Sequence, residues 1–281
     1  MDLDIKATQS KERIKVSNVK GFSYDDVSHC YLMDGVKLKS ATTYIKEFVP
    51  EFNSHIISNM VANKNEKNGR KYLTNPQLVA KYWAMQGKHS SGLGTAGHDF
   101  CVMYWLDPEN TRPVTVLDMN AKKLMDDILS KFEIVRMEIP KGSAKYKIGY
   151  TVDLLMKGLK DGLYYLGDFK FSKAFTSEQY KEDKGRLPNK MKDLLQDFRD
   201  VGHDKGVIQL NMYKEFLREE GINVSKSFLF HIDGLSSYYG DKGYKAYPVQ
   251  DLPELTEELL KSQIDINVID LSIDKEVFDK I

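Results

Sequence analysis

The stretch 146–171, YKIGYTVDLLMKGLKDGLYYLGDFKF, decides how this chain is read. Two apolar runs, 146–157 and 163–171, have the length and the aromatic and β-branched content of strands. Lys160-Asp161-Gly162 between them has the chemistry of a tight turn. Asp153 sits in the first run, and Asp168 and Lys170 sit in the second. Residues two apart on a strand share a face, so Asp168 and Lys170 point the same way. Two carboxylates and a lysine at the ends of paired strands suit a hard divalent cation and a water activated beside it. Asp-x-Lys alone is more often a solvated surface pair, so its weight rests on what surrounds it.

Working outward, 132–139 (FEIVRMEI) alternates as a strand and carries Glu138. The segment 207–219 (VIQLNMYKEFLRE) reads as a helix ended by Gly221, with Gln209 and Tyr213 one turn apart on one face. A strand at 223–232 and a helix at 251–263 follow. Upstream, 119–131 reads as an amphipathic helix with Leu124, Ile128 and Phe132 on one side. Residues 76–106 read as two helices, Leu78 to Met85 and a longer one reaching Leu106. Gly94-Thr95-Ala96-Gly97-His98 would open the second at its glycines. Residues 63–72 read as a polar loop. Pro50 interrupts a helical pattern running from Ile45 to Met60. Asp34-Gly35 centres a hairpin over 20–39, and 1–18 is polar and expected to fray.

This order predicts an α/β protein: a mixed β-sheet flanked by helices, with an N-terminal β-hairpin and helical additions. The expected boundaries are 1–75 for the N-terminal extension, 76–250 for the core and 251–281 for a C-terminal helix and tail. Within the core, 172–206 reads as an inserted, lid-like segment. Its Lys173, Lys181, Lys184, Arg186, Lys190, Lys192 and Arg199 lie near Phe171, Phe175 and Tyr180, which suits single-stranded nucleic acid. Its acids, Asp183 among them, bring it close to neutrality.

Composition narrows the classes. With 281 residues, 41% hydrophobic and 29% charged, the chain is of ordinary globular type. No apolar run approaches the roughly 18–20 residues of a membrane span, and the N-terminus has no apolar signal core. These features lead us to expect a cytoplasmic protein, including a virus-encoded one in a host cytoplasm. Cys30 and Cys101 are too few for a four-cysteine zinc or iron–sulfur site and are expected as buried thiols. Lysines plus arginines equal acids at 41 each. This weighs mildly against nucleic acid as a partner, although a local basic groove needs no net charge. His55, His89, His203 and His231 read as structural or surface residues.

Taken in order, Gly94-Thr95-x-x-His98, strand Asp153, Asp168-x-Lys170 and Gln209-x-x-x-Tyr213 resemble the PD-(D/E)XK nuclease superfamily in its RecB-like exonuclease branch. The likeness covers about residues 80–232. The N-terminal hairpin, with His29, Tyr31 and Ser40-Ala41-Thr42, is similar to the lead-in of phage-encoded and mitochondrial genome maintenance exonucleases. The resemblance implies a restriction-endonuclease-like sheet and a metal-dependent DNA exonuclease acting in phage-type replication, recombination or genome processing. It implies one or two Mg²⁺ or Mn²⁺ ions, held by His98, Asp153, Asp168 and the backbone carbonyl of Phe169. Lys170 would position or deprotonate the attacking water. Glu138 would support a second ion or orient water. Gln209 and Tyr213 would hold the site or contact the scissile strand. The implied partners are DNA, single-stranded or with free ends, and a recombination or replication protein. Relatives often carry Gly three residues before the strand Asp; here Tyr150 stands there, with Gly149 one further back. The alternatives are a structure-selective or nicking endonuclease, a non-catalytic DNA-binding replication protein, and a metal-dependent hydrolase of another substrate.

Overall fold

Sequence turns and caps fix the elements. In the computed structural model, which describes residues 20–25, 28–234 and 238–264, a small antiparallel sheet comes first. It joins β1 (Phe22–Asp25), β2 (Cys30–Met33) and β3 (Val36–Lys37), turning at Asp34-Gly35. Strand β4 (Lys39–Ser40) leads into α1 (Ala41–Glu47), capped by the Ser40 hydroxyl on Thr43 N–H. Past Pro50, Asn53 caps α2 (Ser54–Lys67), and Asn75 with Pro76 starts α3 (Pro76–Leu106). A Thr115/Asp118 capping box opens α4 (Val116–Leu129). Strands β5 (Phe132–Ser143), β6 (Ile148–Gly158) and β7 (Tyr164–Lys170) follow, then α5 (Ser177–Lys184) and α6 (Gly202–Glu219). Strands β8 (Val224–Ile232) and β9 (Tyr244–Pro248) and helix α7 (253–264) end the described chain.

The larger sheet is mixed. β5 lies antiparallel on one edge of β6; the other edge of β6 takes β7 antiparallel at Leu154–Lys157 and β4 parallel at Ile148–Gly149. β7 then pairs parallel with β8, and β8 antiparallel with β9. One apolar core lies under α1, α6 and α7, built on Tyr150, Val152, Leu155 and Leu166; the other lies under α3 and α4, built on Leu154, Met156, Phe169 and Phe230. β6 is buried on both faces, which explains its continuous apolar run. The expected α/β class, with a mixed sheet, flanking helices and an N-terminal antiparallel sheet, is what forms. Among the described residues no helix is long and apolar enough to cross a membrane.

Several boundaries differ from expectation. Residues 76–106 form one helix of 31 residues, not two. A helical glycine costs only about 1 kcal/mol against alanine, and no proline falls between Pro76 and Pro108 to stop the helix. The segment 94–98 is therefore helix interior. A Cβ at Gly97 would come within 2.3 Å of the Phe171 ring, so that glycine serves packing rather than a helix start. The loop expected at 63–72 is helical through Lys67. Phe132 opens β5 rather than lining the preceding helix, and β9 was not foreseen. Of the two thiols, Cys101 is buried but Cys30 is only partly covered. Residues 1–18 and the tail beyond 264 lie outside the described residues.

The segment 172–206, expected as a lid-like insertion, packs part of its length against the core. Phe175, Met191, Leu195 and Val201 are buried, and Phe175 stacks on His231 with ring centroids 4.6 Å apart. His231 is itself buried and bonded through its ring nitrogens to Tyr239 and to the Ser172 carbonyl. Much of the segment's charge is satisfied locally: Lys173 and Lys184 pair with Asp183 at 2.6 and 2.8 Å, and Lys205 pairs with Asp200 at 2.7 Å. Phe175→Ala should therefore cost about 3–5 kcal/mol, as a core aromatic does. Urea unfolding checks this; a loss below about 1 kcal/mol would contradict that packing.

Candidate functional site

The site stands where two strands part. β7 pairs with β6 only as far as Gly167 opposite Leu154; beyond that, Asp168–Lys170 keep β8 alone as partner. Phe169 N–H, left without a β6 carbonyl, donates instead to Asp153 Oδ2 at 3.0 Å. A strand residue's N–H and C=O face one edge, so the Phe169 carbonyl looks into the same gap.

Across β6, Glu138 stands opposite Asp153, between the pairs Met137–Leu154 and Ile139–Val152. Met137 and Leu154 belong to one core and Ile139 and Val152 to the other. Residues two apart on a regular strand would share a face. The alternation slips at Glu138 and Asp153, and Glu138 takes a left-handed φ of 49° to allow it. For a glutamate inside a strand that is strained backbone.

His98 descends from α3. Its Nδ1 donates to Glu138 Oε1 at 2.6 Å and lies 3.7 Å from Asp153 Oδ2. Phe169 and Phe171 hold the ring edge-on, at centroid distances of 5.8 and 5.2 Å. One ligand atom from each of His98, Glu138 and Asp153 falls within 4.8 Å of the others. Ligands on one divalent cation sit about 2–2.6 Å from it, so this spacing fits a shared ion. The buried Asp168 Oδ2 pairs closely with the Lys170 ammonium. The expected metal set was His98, Asp153, Asp168 and Phe169. The compact triad instead takes Glu138 in, and Asp168 lies outside it with Lys170.

Helix α6 supplies the floor. Gln209 Nε2 donates to Asp168 Oδ1 and to Tyr213 Oη, each at 3.0 Å, and its carbonyl faces Lys170 Nζ at 3.5 Å. Gln209 and Tyr213 thus meet at the site one helical turn apart, as their spacing predicts. Gln209 fixes Asp168 from behind, and Tyr213 holds Gln209. Tyr150, three residues before Asp153, packs its ring on Tyr213 and Phe216 and donates to Glu220 at 3.0 Å. It buttresses the floor.

Electrostatics follow from burial. Burial pushes the Asp168 carboxyl up to about 7, although Lys170 pulls the other way. Burial likewise raises Asp153, with Glu138 adding to it and His98 and Lys170 opposing. For His98 burial works against the cation, but Asp153 and Glu138 outweigh it and hold the imidazole at about 9. Burial also disfavours charge on Lys170, yet Asp168 and Asp153 raise it further above its ordinary value. The arrangement holds cations where water is scarce, and can hold a divalent metal beside a fixed ammonium.

The sequence reading missed the hairpin side of the cleft. Tyr24, His29 and Tyr31 line the same cleft as His98, Glu138 and Asp153. His29 and Tyr31 were noted only as part of a motif. The signal for Tyr24 was its place: it stands directly across the hairpin from Tyr31.

No family model matches the chain, and no curated protein matches it.

Two outcomes test this geometry. His98 sits above its ordinary value of 6.5, so its pairing stabilises fully below that pH and is lost as pH rises through about 9. With EDTA present, the stability lead of wild type over His98→Gln should shrink across that window; a constant lead contradicts the pairing. Separately, Glu138→Gly should be more stable than Glu138→Ala by about 1 kcal/mol, because glycine accepts the left-handed backbone. Equal denaturant midpoints would remove the strain.

Proposed function

We propose that this chain is a divalent-metal-dependent nuclease that hydrolyses phosphodiester bonds in DNA, working from strand ends. One observation carries the reading: His98, Glu138 and Asp153 converge beside the ion pair of Asp168 and Lys170, at the point where β6 and β7 separate. Charge distribution supports it. Residues 53–98 hold Lys64, Lys67, Arg70, Lys71, Lys81 and Lys88 against the single acid Glu66, so a neutral chain carries a locally basic stretch that ends at His98 in sequence.

When bound, Mg²⁺ or Mn²⁺ supplies a Lewis acid for a phosphoryl oxygen and for water. His98, Glu138 and Asp153 would hold the ion, with Asp168 and the Phe169 carbonyl as further oxygen donors. Lys170, fixed by Asp168 and Gln209, positions the attacking water and offsets negative charge developing on the phosphate. Gln209, held by Tyr213, keeps Asp168 in register. Water forms the new bond to phosphorus as the bond to the leaving sugar oxygen breaks. The proton that water loses balances the one the leaving oxygen gains. The resemblance to exonucleases is what favours ends over internal sites, and replication, recombination or genome processing in a phage-type replicon as the setting.

End-labelled linear DNA, single- and double-stranded, beside covalently closed circles, tests the proposal with Mg²⁺, Mn²⁺ or EDTA. Wild type should degrade linear DNA only with metal and spare circles. Asp153→Ala, Asp168→Ala and Lys170→Ala should each lose a hundredfold or more (~10²–10³) while remaining folded. Cut circles would make it an endonuclease. Full activity in all three variants, or none in wild type, overturns the reading.

A further inference from the structure

The cleft above the triad has more shape than metal binding requires. It encloses about 640 Å³, within the range of roughly 300–1,000 Å³ that accommodates a small organic group. Its floor is Glu138 and Asp153. Tyr24, His29 and Tyr31 line it from the N-terminal hairpin, and Gly94 and Thr95 line it from α3.

The aromatic wall is built rigidly. Tyr31 donates to or accepts from Thr151 Oγ1 at 2.8 Å, and its ring lies on Gly149 so closely that a Cβ there would fall 2.2 Å away. Tyr24 packs on Tyr31 with centroids 4.9 Å apart, and its hydroxyl meets His29 Nδ1 at 2.7 Å. His29 holds a left-handed φ of 51° at the hairpin turn. The α3 side is left open. A Cβ at Gly94 would meet nothing within 4 Å, so no packing requires glycine there. In mid-helix glycine costs about 1 kcal/mol against alanine, and the space it leaves opens on the cleft. A slot with an aromatic face, a bare helix face and a carboxylate floor fits a planar group joined to a phosphate.

Resting on the nuclease reading, we propose that this slot seats one unpaired nucleobase of the strand being cut, stacked on Tyr24 and Tyr31. The adjoining phosphate then lies over His98, Glu138 and Asp153. Base stacking on an aromatic side chain tolerates any base, because every base has a π-face. The slot therefore selects for single-stranded or frayed ends without reading sequence.

The test compares cleavage of a single-stranded oligonucleotide with that of the same strand bearing an abasic residue, moved one position at a time. Wild type should cut the abasic strand about tenfold more slowly when the gap falls at one position. Tyr24→Ala should erase that difference, whereas Tyr24→Phe, which keeps the ring, should retain it. Gly94→Leu, whose Cβ meets nothing within 4 Å, adds bulk to the slot from the α3 side, so it should also erase the difference while the melting temperature holds or rises. Wild type that cuts full and abasic strands alike, or discrimination that survives in both Tyr24→Ala and Gly94→Leu, overturns the slot and leaves the nuclease reading standing. Wild type that cuts no strand with metal overturns both.

Discussion

Two carboxylates buried beside one another are the constraint on which the rest of this site depends. Asp153 and Asp168 are 8% and 1% exposed, in a place where an unpaired charge is strongly disfavoured. Each neighbour offsets part of that cost. Lys170 pairs with Asp168, Gln209 and the Phe169 N–H donate to the two carboxylates, and His98 brings positive charge to Asp153 and Glu138. Burial still drives both aspartates toward the neutral acid. A site that raises the energy of its own anions binds an added cation with corresponding strength.

The backbone makes that burial achievable. Had β7 continued to pair with β6, the Phe169 N–H would bond a β6 carbonyl, and Asp153 would lose its backbone donor. The parting of the strands opens the gap, and β4 pairs with the far end of the same β6 edge. Glu138 completes the arrangement by accepting a strained φ, which turns its carboxylate toward His98. Strain of this kind persists where surrounding structure fixes it, and such places are often functional.

Much of this was legible in the chain, and the failures have physical causes. Asp168 and Lys170 share a face because strand geometry has period two; Gln209 and Tyr213 meet because helical geometry brings residues four apart together. The glycines of 94–98 misled because the reason for Gly97 is Phe171, seventy-odd residues away, and local propensity carries no record of it. The segment 172–206 looked solvated because its charges are many. Its buried apolar side chains are few and scattered among the charges, so only the tertiary structure reveals them. Glu138 was singled out as a carboxylate near the site. Its left-handed backbone had no sequence signal, since a regular strand was the simplest reading of FEIVRMEI.

The central claim is that the triad and its neighbours form one divalent-cation site. Anomalous diffraction from crystals soaked in Mn²⁺ tests it most directly. The account predicts a manganese peak in contact with His98, Glu138 and Asp153, with Asp168 close by, and its disappearance in Asp153→Asn crystals. A folded protein that shows no manganese there, or shows it equally in Asp153→Asn, would contradict the account.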